Sequence, residues 1–118
     1  MRESTLWLLH LLCGAVLVIV LGTHFGVMHV GGLLGIPHDE VLTFASVSVR
    51  SQMPFYLAVY MLLLAAGLYH GLYGLRSIVL EVAALGTAGQ KVLNVLLIIG
   101  GWGFFAFGAY VIIAGFLG

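Results

Sequence analysis

Five histidines stand in 118 residues that otherwise carry only four Lys or Arg and four Asp or Glu. His10, His24 and His29 fall in one long apolar run, His70 falls in a second, and His38 lies between them. Neutral imidazole is a good metal ligand. A polar side chain inside an apolar segment is costly and usually functional. His70 has the most telling surroundings. At about 3.6 residues per turn, Ala66, Gly67, Gly74, Ser77 and Glu81 lie on or beside its face. An imidazole flanked by small residues is what a flat iron macrocycle needs: a ligand for the metal, and bare backbone that lets the ring approach. Arg76 follows six positions later, and its guanidinium could pair with a propionate. The same spacing suits a histidine that merely hydrogen-bonds between two helices, and the residues leave both readings open.

His24 follows His10 by 14 positions, about four turns, so they share a face that reads His10, Gly14, Leu17, Leu21, His24, Met28. At ~1.5 Å per residue they are ~21 Å apart and cannot bind one iron together. His29 is rotated by about 140° from His24. With histidines at different depths and Cys13 as the single cysteine, a zinc centre is not expected. There is no H-E-x-x-H, nucleophile elbow, phosphate loop or G-x-G-x-x-G.

The elements that carry these side chains follow from where charge is missing. No Lys, Arg, Asp or Glu occurs between Glu3 and Asp39, between Arg50 and Arg76, or after Lys91. Each gap exceeds the ~20 residues with which a helix crosses ~30 Å of hydrocarbon. The runs are continuous rather than alternating, which favours helices over barrel strands. The expected fold is all-α, one domain over residues 1–118, with transmembrane spans near 6–34, 54–80 and 92–117. Composition agrees: 63% of residues are hydrophobic and 7% charged, against roughly 25% charged in soluble domains. Mean hydropathy is +1.22, so the chain needs the lipid bilayer as its solvent. The first run is longer than the ~7–15 apolar residues of a signal peptide and no small-x-small site follows it, so it is expected to remain as a helix.

Zero formal net charge offers no footprint for nucleic acid. Arg2, Arg76 and Lys91 fall on one side of the membrane and Arg50 on the other. The positive-inside rule then places the N-terminus in the cytoplasm and the C-terminus outside. Gly22 with Gly26, and Gly67 with Gly71, each form G-x-x-x-G. Gly101, Gly108 and Gly115 recur every seven residues, making a groove suited to helix packing.

The segment Leu68-Tyr69-His70-Gly71-Leu72-Tyr73-Gly74-Leu75-Arg76, with Glu81, resembles the cytochrome b-type membrane anchor subunits of succinate dehydrogenases. Those carry H-x-x-x-G, often followed by Arg, and an acid eleven positions after the histidine. His70, Gly74, Arg76 and Glu81 fill these places. Leu9-His10-Leu11-Leu12-Cys13-Gly14 is similar to the family's H-R-x-[ST]-G, with Leu11 in place of the Arg and Cys13 in place of the hydroxyl. Gly22-Thr23-His24 resembles the histidine that ends the first helix of two-haem members.

The resemblance implies that His70 ligates a haem b iron and His24 the iron of a second, more distal haem. In the family the Arg and hydroxyl that Leu11 and Cys13 replace touch a propionate or the quinone; His10 and Arg76 stay as expected cofactor contacts, with Gly67 and Gly74 making room for the macrocycle and Ser77 and Glu81 near quinone. One branch has Asp-Tyr where this chain has Glu81-Val82, and its Tyr contacts ubiquinone; Val82 cannot donate that hydrogen bond. Two-haem members commonly use a low-potential quinone such as menaquinone. The family picture places one or two haems between this chain and a second, similar anchor subunit, with iron–sulfur and flavoprotein subunits docked on the cytoplasmic face of the inner (cytoplasmic) membrane. Electrons would pass from succinate to quinone, and this chain would do no covalent chemistry itself. The competing expectation is a haem-free structural anchor or assembly subunit whose histidines pair helices. A small transporter is disfavoured by the lack of an inverted repeat or broken-helix pairs.

Overall fold

The computed structural model describes residues 2–118. Among them the chain forms five helices and no strand: α1 (Glu3–Leu33), α2 (His38–Val41), α3 (Phe44–Ser51), α4 (Pro54–Val82) and α5 (Thr87–Leu117). The helices α1, α4 and α5 are long and apolar enough to cross a membrane, so the chain is a multi-pass membrane protein. They reach past the expected spans because the helical ladder continues into the polar ends at Glu3, Glu81 and Lys91. The second connection thereby shrinks from the expected 81–91 to residues 83–86. The first, expected over 35–53, is itself mostly helical.

Local chemistry sets the breaks. Pro54 opens α4 at a position where its missing N–H costs no helical bond. Thr43 caps α3 by accepting from the Ser46 N–H. Gly35, at φ +78°, ends α1 in the left-handed conformation that glycine adopts without strain.

The helix α4 is central. It packs on α1 along one side and on α5 along the other, while α1 and α5 do not pack on each other. The result is an elongated layer of 55 × 28 × 22 Å with almost no interior of its own. Only Val20, Val41, Ala66 and Tyr73 are buried among the described residues, and large apolar side chains stand exposed along all three long helices. Such helices are stable only where lipid or other protein covers them.

Packing between α4 and α5 uses the seven-residue glycine repeat. A Cβ on Gly101 would come within 2.8 Å of Leu72, and one on Gly108 within 2.7 Å of Leu64. Gly115 faces Ser51, whose hydroxyl donates to the Gly115 carbonyl at 3.1 Å. A Cβ on Gly22 or Gly71, by contrast, would meet nothing within 4 Å. Gly108→Val is therefore expected to destabilise the α4–α5 pair by about 1–3 kcal/mol, the usual cost of overpacking. Gly103→Val, where a Cβ meets open space, should be close to neutral. Thermal unfolding in detergent micelles compares the two; equal midpoints would contradict this packing.

Candidate functional site

Antiparallel packing of α1 on α4 brings the first half of one against the second half of the other. His10 and His70 meet there with ring centroids 4.1 Å apart and planes 2° from parallel. The His70 Nδ1 lies 3.1 Å from the His10 carbonyl oxygen. A carbonyl only accepts, so Nδ1 carries the proton and donates. The Nε2 lone pair of His70 is then bare, as a metal ligand requires.

Two glycines make the approach possible. A Cβ on Gly14 would fall 3.0 Å from Cε1 of His70, and one on Gly74 would fall 3.3 Å from Cε1 of His10. The two H-x-x-x-G segments interlock: each histidine occupies the space left by the other helix's glycine. Gly67, one turn before His70 on α4, faces α1 less closely, with Leu17 at 3.9 Å from where its Cβ would stand.

A polar network lies one to two turns toward the N-terminal end of α1. The Arg76 Nη1 donates to Glu3 Oε1 at 2.8 Å, and the Tyr73 hydroxyl donates to the same oxygen at 3.0 Å. The Arg76 Nε donates to Asn94 Oδ1 at 2.7 Å, tying in α5. The Tyr69 hydroxyl donates to the Leu6 carbonyl at 2.8 Å. The ion pair is open to its surroundings, with the Glu3 side chain 63% exposed, so its own contribution is modest, about 0–1 kcal/mol. Its value is positional: it fixes where the Arg76 charge stands. The sequence offers Arg76 a propionate as partner and assigns no role to Glu3, Tyr69, Tyr73 or Asn94. The spacing of Tyr69, Tyr73 and Arg76 at i, i+4 and i+7 is the sequence signal for part of this set.

The other candidates are scattered. The Ser77 hydroxyl donates back to the Tyr73 carbonyl at 3.0 Å. Glu81 is exposed in the last turn of α4. His24 is half-buried toward the far end of α1, its ring edge-on to Tyr60 at 5.9 Å. The fold brings His10, His70 and Gly14 together with Gly74, sets Arg76 six residues on from His70, and keeps His24 apart.

Two clefts border this region. One, of about 470 Å³, runs along α1 past Gly14, Leu17, Leu21, Gly22 and Phe25, with His70 in its wall. The other, of about 670 Å³, lies between α4 and α5. It is apolar along Leu68, Leu97 and Trp102 and polar where Tyr73, Arg76 and Asn94 meet. In the first, a singly protonated imidazole with an oriented ring borders a trough of small, aliphatic and aromatic residues, a lining that would accept a flat apolar macrocycle. The His10 Nδ1 is buried without a hydrogen-bond partner among the described residues, a further polar atom there awaiting one.

Comparison with known proteins agrees with this architecture. Residues 2–110 match the family model for the succinate dehydrogenase/fumarate reductase transmembrane subunit. A succinate dehydrogenase hydrophobic membrane anchor subunit from Archaeoglobus fulgidus is 34% identical over 82 residues, which cover 70% of this chain. That alignment spans 65% of the archaeal protein, slightly under two thirds of its length. No solved structure matches the chain. With three apolar helices and a family match along nearly its whole length, the chain belongs to the succinate dehydrogenase/fumarate reductase transmembrane subunit family.

Proposed function

We propose that this chain is the haem b-binding membrane anchor of a succinate:quinone oxidoreductase in the cytoplasmic membrane, docking the iron–sulfur and flavoprotein subunits and passing electrons toward quinone. The observation that carries the reading is the His70 imidazole, which donates through Nδ1 to the His10 carbonyl, has no hydrogen bond at Nε2 among the described residues, and stands in the wall of an open trough. Metal-bound histidines characteristically give their second N–H to such an acceptor, which fixes the tautomer and ring orientation.

His10, whose ring lies flat against His70 at 4.1 Å, would not share an iron with it. A second anchor subunit would supply the other ligand and cover the exposed faces of α1 and α4. His24, nearer the other end of the α1–α4 pair and edge-on to Tyr60, would hold a second haem. Bound haem b supplies a one-electron carrier inside the membrane. His70 would hold the iron, and the apolar trough would exclude water. Arg76, steadied by Glu3 and Asn94, places positive charge near the interface. The α4–α5 cleft, with Tyr73, Arg76 and Asn94 at its polar end and Ser77 and Glu81 beyond, suits a quinone head with an apolar tail.

The haem-free reading has one observation in its favour: the stacked His10–His70 pair with its hydrogen bond is already a complete helix-to-helix contact. A pyridine haemochromogen assay on the purified complex separates the two. A b-type α-band with at least one haem per complex is expected, and its absence would leave only the structural anchor.

The charge pair gives a signed prediction. Arg76→Gln removes a positive charge and should lower a haem midpoint potential; Glu3→Gln removes the compensating negative charge and should raise it. Each shift should be on the order of tens of millivolts for a unit charge ~10–15 Å away at an effective dielectric near 20. Redox titration followed at the α-band reads both, and shifts of the same sign would contradict the placement.

A further inference from the structure

At the end of α1 remote from His70, the chain closes on itself in a Schellman turn. The Ile36 N–H donates to the Gly31 carbonyl at 2.9 Å and the Gly35 N–H to the Gly32 carbonyl at 3.4 Å, around Gly35 at φ +78°. Ile36 and the buried Val41 close on Gly31, where a Cβ would meet Val41 at 3.3 Å and Ile36 at 3.6 Å. Arg50 donates to the Val41 carbonyl at 2.8 Å. The helix α2 is thus fastened back over the end of α1, and its first residue, His38, returns to His29.

The two rings stand with centroids 5.2 Å apart and planes tilted by 45°. Two imidazoles on one tetrahedral ion, with Zn–N of about 2.0–2.1 Å, put their centroids roughly 5 Å apart. His29 is also oriented as a ligand would be. Its Nδ1 lies 2.9 Å from the Phe25 carbonyl and so donates to it, and its ring stacks on Phe25 with centroids 3.8 Å apart. The lone pair is left on Nε2. Both histidines are exposed, and Asp39 and Glu40 follow His38 directly with negative charge.

We propose that His29 and His38 form a surface site for a divalent transition-metal ion, Zn²⁺ or Cu²⁺, separate from the region of His70 and Arg76. No group of three His, Cys, Asp or Glu side chains assembles there or elsewhere among the described residues. Water completes the coordination, which makes the site open and exchangeable rather than structural. Sequence spacing does not pair these residues, because one histidine ends a span and the other follows a loop; the Schellman turn is what joins them.

The full chain, purified in detergent with the subunits that accompany it, is titrated with Zn²⁺ by calorimetry and with Cu²⁺ by electron paramagnetic resonance. The expected result is a Zn²⁺ equivalent whose affinity falls more than about tenfold in His29→Ala and in His38→Ala, since losing a ligand costs at least what losing a second-shell partner does. His38→Cys should retain the Zn²⁺, as thiolate replaces imidazole. The Cu²⁺ spectrum should show nitrogen couplings from two imidazoles, reduced to one in each Ala variant. Unchanged Zn²⁺ binding in either Ala variant, or no Zn²⁺ binding by the unsubstituted chain, overturns the proposal.

Discussion

His70→Ala is expected to remove one haem b from the purified complex while a second stays bound. His24→Ala should remove the other. The two histidines would serve different irons because ~14 residues of helix separate the His10 level, where His70 sits, from His24, a rise of ~21 Å. Alanine at position 70 also deletes the stack on His10 and the hydrogen bond to its carbonyl, each a contact between α1 and α4. The hydrogen bond has a net worth of about 0.5–1.5 kcal/mol. The helices keep the Tyr69 bond to Leu6 and the Glu3–Arg76 pair, so the variant should still assemble. His70→Gln makes the test cleaner, since its amide can still donate to the His10 carbonyl but is a poor haem ligand. Haem per complex by pyridine haemochromogen is the readout. Full haem content in both position-70 variants would reject ligation, and loss of the same haem in the position-24 and position-70 variants would mean a one-haem architecture.

Much of the scaffold was legible because lipid imposes a one-dimensional rule. Gaps without charge from Glu3 to Asp39, from Arg50 to Arg76 and after Lys91 correspond to α1, α4 and α5. The rule is silent on where a helix stops within the interface, which is why α4 reaches Val82 and α5 starts at Thr87. The glycine repeat of α5 was legible as a packing groove, but its occupants, Leu64, Leu72 and Ser51, were not. Periodicity reports a face, never what faces it.

The same limit governs the candidate site. Both H-x-x-x-G segments can be read singly, yet nothing in either shows that they interlock. Gly74 reads as bare backbone for a macrocycle, and in the fold His10 lies against it. The partner of Arg76 is Glu3, 73 residues earlier in the chain. Only the antiparallel register of α1 on α4 makes them neighbours, and that register is tertiary information.

Gly14→Val should cost as much haem as losing the ligand itself, with His70 still present. A Cβ at position 14 would stand 3.0 Å from Cε1 and 3.2 Å from Nδ1 of His70, tight enough that the ring must give way, and valine adds two methyl groups to that crowding. The ring cannot swing away freely, because the His10 ring lies flat against it and the His10 carbonyl holds Nδ1. Either α1 shifts outward or the imidazole leaves its rotamer. Both break the hydrogen bond that sets the tautomer, and overpacking adds about 1–3 kcal/mol of strain. Gly14→Ala should show the same defect in weaker form, and Gly74→Val, which presses on His10 instead, should perturb haem less. This order separates a ligand held by its neighbouring helix from one that merely needs to be a histidine. If Gly14→Val binds haem with an unaltered spectrum and midpoint potential, the His70 imidazole does not take its orientation from α1, and the interlocked histidines are a packing feature alone.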